Sequence, residues 1–171
     1  MKTIVYTSGT GYTEQYAKTL GEKLGIPAIT LEQAKNTLLS GEEIIYFGWL
    51  MAGFVSGYKE AKKKFTVNAV CAVGMGANGS QTKEIRKNNK IEEDTPLFVL
   101  QGGLDMSKLH GIYKLMMKIV TKKIEKDLLK QETRTEEEEN IITMIRNGGN
   151  FVKEENLAPV INWYNKLYII I

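Results

Sequence analysis

A short stretch of hydroxyl-bearing residues and glycines separates an apolar run from a helical pattern near the start of the chain. The apolar run covers residues 3–6, the helical pattern covers 14–23, and the stretch between them reads Thr7-Ser8-Gly9-Thr10-Gly11-Tyr12-Thr13. Glycines let backbone N–H groups turn toward an anion, and the helix that follows points its positive dipole end into the same space. The stretch therefore predicts a strand, a phosphate-binding loop and a helix.

The residues that this loop lacks limit the range of ligands that it can bind. It contains no Gly-Lys-Ser/Thr, which excludes the lysine-bearing loop of the nucleoside triphosphatases. Glu14 stands where dinucleotide-binding folds need a third glycine for close packing of helix on strand. The loop has no lysine or arginine of its own. A monophosphate held by hydroxyls and backbone amides fits it better than a triphosphate with magnesium.

The segment Ser8-Gly9-Thr10-Gly11-Tyr12-Thr13 resembles the Ser/Thr-x-Thr-Gly-x-Thr loop of the flavodoxin family. In that family the loop holds the phosphate of FMN, so the resemblance implies FMN as the cofactor and these six residues as its phosphate site. The alternative is an ordinary turn of glycine and serine between a strand and a helix. The position directly after the first strand favours the phosphate site.

Short apolar runs alternate with helical patterns along the first 130 residues, which predicts βαβ units. The expected fold is α/β, a doubly wound, five-stranded parallel sheet in the flavodoxin-like order 2-1-3-4-5. The predicted strands are residues 2–7, 28–31, 44–48, 67–73 and 96–100. We expect a single domain, with a core of about residues 1–130 and a helical C-terminal extension of about 131–171. Within that extension, Thr135 and Glu138 fit a capping box at a helix start.

Such sheets bind ligands at the carboxyl ends of their strands, where the strand order reverses, so the loops after strands one, three and four should converge. Aromatic and thioether side chains can contact a flat ring, and glycines let the backbone approach it. The candidates after strand three are Trp49, Leu50, Met51, Ala52 and Gly53, and those after strand four are Met75, Gly76, Ala77, Asn78 and Gly79. Alternatively, Trp49 is a core residue that caps the sheet.

A lysine-rich helical segment of about residues 108–130 follows strand five. This arrangement resembles flavodoxin-domain proteins related to the menaquinone-dependent protoporphyrinogen oxidases, which implies a quinone or tetrapyrrole partner and transfers no catalytic residue. Lysines recur every fourth residue from Lys114 to Lys130, and Leu109, Ile112, Tyr113, Met116, Val120 and Ile124 follow the apolar face. The favoured interpretation packs that face on the sheet, with the lysines outside. The alternative lays the helix on an anionic membrane surface.

Composition limits the remaining possibilities. A net charge of +3 is too small to indicate nucleic acid, yet it differs from the acidic surface typical of flavodoxins that carry electrons. Cys71 is the one cysteine and His110 the one histidine, so neither an internal disulfide nor a histidine cluster for a metal is possible. No signal-peptide pattern is visible, and a cytoplasmic location is expected.

Three functions stay open at this point. The first is an FMN-binding electron carrier with a redox partner protein. The second is an FMN-dependent oxidoreductase of the protoporphyrinogen oxidase or quinone reductase type, and the third is a flavodoxin-fold binding module without flavin. The oligomeric state is open as well.

Overall fold

A parallel sheet with helices on both faces forms the body of the molecule. The computed structural model describes residues 3–168, the last of them by its backbone alone. The strands are β1 (Thr3–Thr7), β2 (Ala28–Thr30), β3 (Glu43–Met51), β4 (Phe54–Val55), β5 (Thr66–Gly74), β6 (Leu97–Gln101), β7 (Gly103–Leu104) and β8 (Gly149–Asn150). The helices are α1 (Tyr12–Leu24), α2 (Leu31–Thr37), α3 (Tyr58–Lys64), α4 (Thr82–Asn89), α5 (Gly111–Leu129), α6 (Glu136–Asn147) and α7 (Ala158–Tyr168), with a short 3-10 helix at Glu154–Leu157.

The five parallel strands lie in the spatial order β2-β1-β3-β5-β6. Counted as parallel strands alone, this is the flavodoxin-like order 2-1-3-4-5, so the predicted fold class is confirmed. The central strand β3 places Tyr46 between Val5 of β1 and Val70 of β5. Residues 44–47 are fully buried, as expected for a strand covered on both faces.

Two apolar layers cover the two faces of the sheet. One layer joins β-strand side chains to α2, α3 and α4, for example through Ala34, Ala61 and Ile85. The other joins them to α1 and to the C-terminal helix α7, through Leu20 and Val160. Helix α7 therefore packs on the sheet as part of the main core.

The segment after strand three is not the loop that the sequence indicated. Trp49, Leu50 and Met51 continue β3, which pairs antiparallel with β4 through a tight turn at Ala52 and Gly53. Both turn residues have positive φ, at 50° and 79°. A two-residue hairpin turn of this kind matches the twist of the flanking strands, which explains why the chain stays extended here.

A helical pair and a two-stranded ribbon lie between β6 and α7. Strands β7 and β8 pair with each other, and α5 packs chiefly against α6. The expected division into a core of 1–130 and an extension of 131–171 does not follow this packing, because α7 belongs to the main core and α5 does not.

The expected packing face of α5 was wrong, whereas the lysines of this helix are exposed as expected. Only Met117 and Thr121 of this helix are buried, whereas Ile112 and Met116 of the expected packing face are exposed.

The predicted capping box at α6 is confirmed: Thr135 Oγ1 accepts the N–H of Glu138, whose carboxylate accepts the N–H of Thr135. Within residues 3–168, no helix is long and apolar enough to cross a membrane. The apolar segment 169–171, for which the sequence suggested docking against the core or a partner, lies outside the described residues.

Candidate functional site

The first glycine-rich loop ends at the N-terminus of α1. Gly11, with φ of 95°, is the residue before the helix, a conformation that glycine adopts without strain. Ser8 Oγ accepts the N–H groups of Gly11 and Glu14 at 3.1 and 3.4 Å. The N–H groups of Tyr12 and Thr13 have no acceptor among residues 3–168. Two unpaired donors at a helix start are an arrangement that favours a bound anion.

The structure brings the three predicted segments together at the carboxyl edge of the sheet. Thr10 and Thr13 of the first loop, Trp49 and Leu50 at the end of β3, and Gly74 and Met75 at the end of β5 line one small cavity. Trp49 lies against the first loop: a Cβ added at Gly9 would be 3.2 Å from its indole Cε2. Its ring also meets Tyr113 of α5 edge-on, with centroids 5.8 Å apart.

The chain's own side chains fill the space above these segments. The cavity has a volume of about 30 Å³, which has room for only one or two water molecules. Leu109 and Met117, before and within α5, form its outer wall and are 3% and 6% exposed. They pack with Leu104 and Met144 in a third apolar cluster. This packing over the cavity could not be predicted from the sequence, because apolar periodicity does not identify the partner against which a helix packs.

A larger groove of about 440 Å³ adjoins the small cavity and shares Leu50, Gly74, Met75 and Met117 with it. One wall is the edge of the sheet, including Met51, Ala52, Gly53 and Gly76; the other belongs to α5 and α6, with Val120, Ile124, Glu137 and Ile141. This volume lies in the range of pockets that hold drug-sized ligands. The groove therefore has the size that a flat ring requires. Most of its lining is apolar, and its polar members are Ser80, Gln81, Thr135, Glu137 and Glu138.

The second half of the third loop turns away from this groove. Asn78 Oδ1 accepts the N–H of Gln101 at 2.7 Å, and Asn78 Nδ2 donates to Asn156 at 2.6 Å. With Gly79 it borders a different depression, beside β6. Ala77 donates its N–H to the Glu137 carboxylate at 2.9 Å. These contacts fasten the loop to β6, to α6 and to the 3-10 helix.

A second depression, of about 700 Å³, opens on the other side of the first loop and includes Ser8, Glu14 and Tyr113. A hydrogen bond and ion pair from Lys18, at 2.6 Å, lowers the pKa of Glu14. Glu14 in turn accepts the Tyr6 hydroxyl at 3.2 Å, and burial is the main cause that raises the pKa of Tyr6. The acidic lining makes this side less suited to a phosphate than the helix N-terminus.

The two residues with metal or thiol chemistry lie apart from these cavities. His110 is exposed at the start of α5, and Cys71 is fully buried in β5, where burial raises the pKa of its thiol. Within the described part of the chain, no group of histidine, cysteine, aspartate and glutamate could hold a metal ion.

A doubly wound parallel sheet with a glycine-rich loop between its first strand and its first helix defines an α/β protein with flavodoxin-like strand order. The profile of the flavodoxin domain family matches residues 3–131, and the chain belongs to this family. No curated protein and no solved structure shows a significant match to the chain.

The residues present fit FMN, the cofactor implied by the family, at two ends of the site. The unpaired N–H groups of Tyr12 and Thr13 suit a phosphate, and the 440 Å³ groove suits a flat ring. Between the two lies the small cavity, whose lining includes Leu50, Met75 and Met117. Each of these side chains has several rotamers, so movable groups contribute to the narrowing of the passage.

Proposed function

We propose that the protein binds FMN without a covalent bond and transfers electrons through it. The observation that carries the proposal is the first loop: hydroxyls and unpaired N–H groups lie at a helix start, at the carboxyl edge of a parallel sheet, beside a ligand-sized groove. Membership of the flavodoxin domain family supports the same ligand. When bound, FMN supplies the electron-transfer chemistry itself.

The protein's own residues have three tasks in this proposal. Ser8, Thr10 and Thr13 donate hydroxyl hydrogens to the phosphate, together with the two free N–H groups of the loop. Met51 and Met75 contact the ring, and Gly74 and Gly76 let the backbone approach it. Trp49 and Met117 keep water out of the site from the side of α5.

The direct test is reconstitution. Purified protein is incubated with FMN, excess ligand is removed, and the visible absorption of the retained flavin is recorded. Retention supports the proposal. If neither FMN nor FAD is retained, the redox function fails and a flavodoxin-fold module that works without flavin replaces it.

The phosphate site has its own variant. Thr10→Ala combined with Thr13→Ala removes two donors worth about 1.5–3 kcal/mol each to a charged acceptor, so FMN affinity should fall more than tenfold. Thr19→Ala combined with Thr133→Ala is the matched control, because neither hydroxyl makes a hydrogen bond within residues 3–168 or lines the cavities at the carboxyl edge of the sheet. Equal FMN affinity of the two double variants would contradict the binding of the phosphate in this loop.

An electron carrier and an oxidoreductase differ in turnover. The loaded protein is mixed either with a reductant and a quinone, or with protoporphyrinogen as electron donor and a quinone as electron acceptor. It would turn over a small substrate only if it is an oxidoreductase. Reoxidation by partner proteins alone would assign it to the carriers.

A further inference from the structure

The outer face of α5 exposes a stripe of apolar side chains over its first two turns. Ile112, Leu115 and Ile119 are 62%, 55% and 61% exposed, and Met116 beside them is 40% exposed. Their spacing of three, four and seven residues puts them on one side of the helix. We call these four residues the outer patch. It lies opposite the buried side of α5, and nothing in residues 3–168 covers it.

The same face continues as a group of lysines toward the end of the helix. Lys122, Lys123 and Lys126 follow the outer patch at helical spacing, with Lys118 at its flank, and all four are exposed. None has a carboxylate within ion-pair distance among the described residues.

The acidic residues of this helix are already paired. Glu125 accepts from Arg146 at 2.6 Å, and Asp127 lies 3.3 Å from Lys130. The outer face of α5 therefore presents uncompensated positive charge beside exposed apolar groups.

We propose that the outer patch and these four lysines form a docking surface for an anionic lipid bilayer. Such a surface offers an apolar layer beneath a plane of phosphates, and α5 presents the matching pair of chemistries on one face. Apolar side chains of an interfacial helix enter the headgroup boundary, while lysine stems extend their ammonium groups back to the phosphates. Charge complementarity thus selects anionic lipid over a neutral surface.

A second copy of the chain fits this face less well. Stable protein interfaces bring about 20–30 residues from each side, far more than the four residues of the outer patch.

The docking surface and the proposed flavin groove use opposite sides of the same helix. Val120, Ile124 and Leu128 on the inner side line the groove, whereas the outer patch faces away from it. Lipid binding therefore does not depend on the proposed FMN function, and the two can succeed or fail separately.

Cosedimentation with lipid vesicles tests the proposal. The full chain should bind vesicles that contain phosphatidylglycerol and should bind pure phosphatidylcholine vesicles far more weakly, with the difference reduced by salt. Changing Lys118, Lys122, Lys123 and Lys126 to Gln should weaken binding several hundredfold, because each lysine near an anionic surface contributes about a fivefold factor and the four factors multiply. Changing Ile112, Leu115 and Ile119 to Ser should weaken it about tenfold.

Matched control variants distinguish specific lipid binding by this face from nonspecific binding through charge or exposed apolar groups elsewhere on the protein. Lys59, Lys63, Lys83 and Lys87 are exposed lysines of α3 and α4, and their change to Gln should leave binding within about twofold. Leu39→Ser alters the most exposed large apolar residue among those that the structure describes; it is 76% exposed and lies before β3, at the opposite edge of the sheet. Equal loss in test and control sets, or no preference for anionic vesicles, would overturn the proposal. A dimer in solution that the three serine changes dissociate, without vesicle binding, would assign the outer patch to a second copy instead.

A probe in an otherwise unchanged chain avoids dependence on multiple variants. Ile119→Cys can be labelled selectively with an environment-sensitive fluorophore, because the natural Cys71 is fully buried. Its emission should shift to the blue when anionic vesicles are added, while a label on Leu39→Cys should not shift. An unshifted signal at position 119 would refute insertion of this face.

Discussion

The hydroxyl of Tyr16 holds the C-terminal part of the chain to the sheet, and Tyr16→Phe removes only that group. Its ring is fully buried; its O–H donates to the carbonyl of Gln101 at 2.6 Å and accepts from Asn156 Nδ2 at 2.6 Å and from the Lys153 N–H at 3.3 Å. The phenylalanine keeps the ring packing but leaves the carbonyl and two donors without this partner. A buried polar group left unpaired costs about 1–3 kcal/mol, and Asn156 retains a longer bond to the carbonyl of Phe151. We therefore expect a loss of about 2–4 kcal/mol.

Urea unfolding followed by far-ultraviolet circular dichroism measures this loss. With a slope of about 2 kcal/mol per molar urea, the midpoint should fall by about 1–2 M at unchanged slope. Tyr58→Phe is the matched control, because its ring is also buried. No buried side-chain oxygen among the described residues lacks a partner, so the Tyr58 hydroxyl, which makes no hydrogen bond to them, reaches solvent, and its loss should cost less than about 0.5 kcal/mol. Equal midpoints for the two variants would show that the hydroxyl network does not hold α7 and the 3-10 helix in place.

Further predictions concern the hairpin, the cysteine and the cap of α6. Ala52→Gly should raise stability by about 0.5–1 kcal/mol in thermal unfolding, since φ of 50° strains a residue with a Cβ. Cys71 should resist thiol reagents until the protein unfolds; because burial raises its thiol pKa, its contribution to stability is complete below the ordinary thiol pKa and is lost as pH rises toward the raised value. Thr135→Ala should cost about 1 kcal/mol in urea unfolding. The N–H of Thr135 lowers the pKa of Glu138, so that carboxylate stabilises the fold above its ordinary pKa and ceases to do so as pH falls through the lowered value.

The parallel sheet and its order were predictable because β1, β3 and β5 are mostly apolar runs. Only a sheet that is covered on both faces can bury such strands. The end of β3 was missed for a specific reason. The run from Trp49 to Met51 is apolar in either interpretation, and the turn that continues it as a hairpin uses Ala52 where such turns favour asparagine or aspartate before glycine. The usual turn signal was therefore absent from the sequence.

The packing of α5 could not be read from its periodicity. Apolar residues occur around most of this helix, so both the side with Ile112 and Met116 and the side with Met117 look suitable for burial. Contacts with other elements of the fold determine which side is buried. Only the side with Met117 contacts the ends of the strands and α6. Asn78 shows the same limit of sequence analysis in a loop. An asparagine can contact a ligand, but this one binds Gln101 and Asn156, which are distant from it in sequence and could not be identified as its partners.

The position of α7 explains why α5 has two chemically different sides. The sheet needs a helix beside α1 to cover β6, and α7 supplies it, with Trp163 against Phe98 at a centroid distance of 6.0 Å. The two main apolar clusters close without any residue of α5 or α6. The main core therefore does not require this helical pair. The inner side of α5 lines a groove, while its outer side remains apolar and basic. An extra helix that the core does not need, carrying exposed apolar groups at a ligand-sized groove, is the part of the chain where function beyond the shared fold is expected.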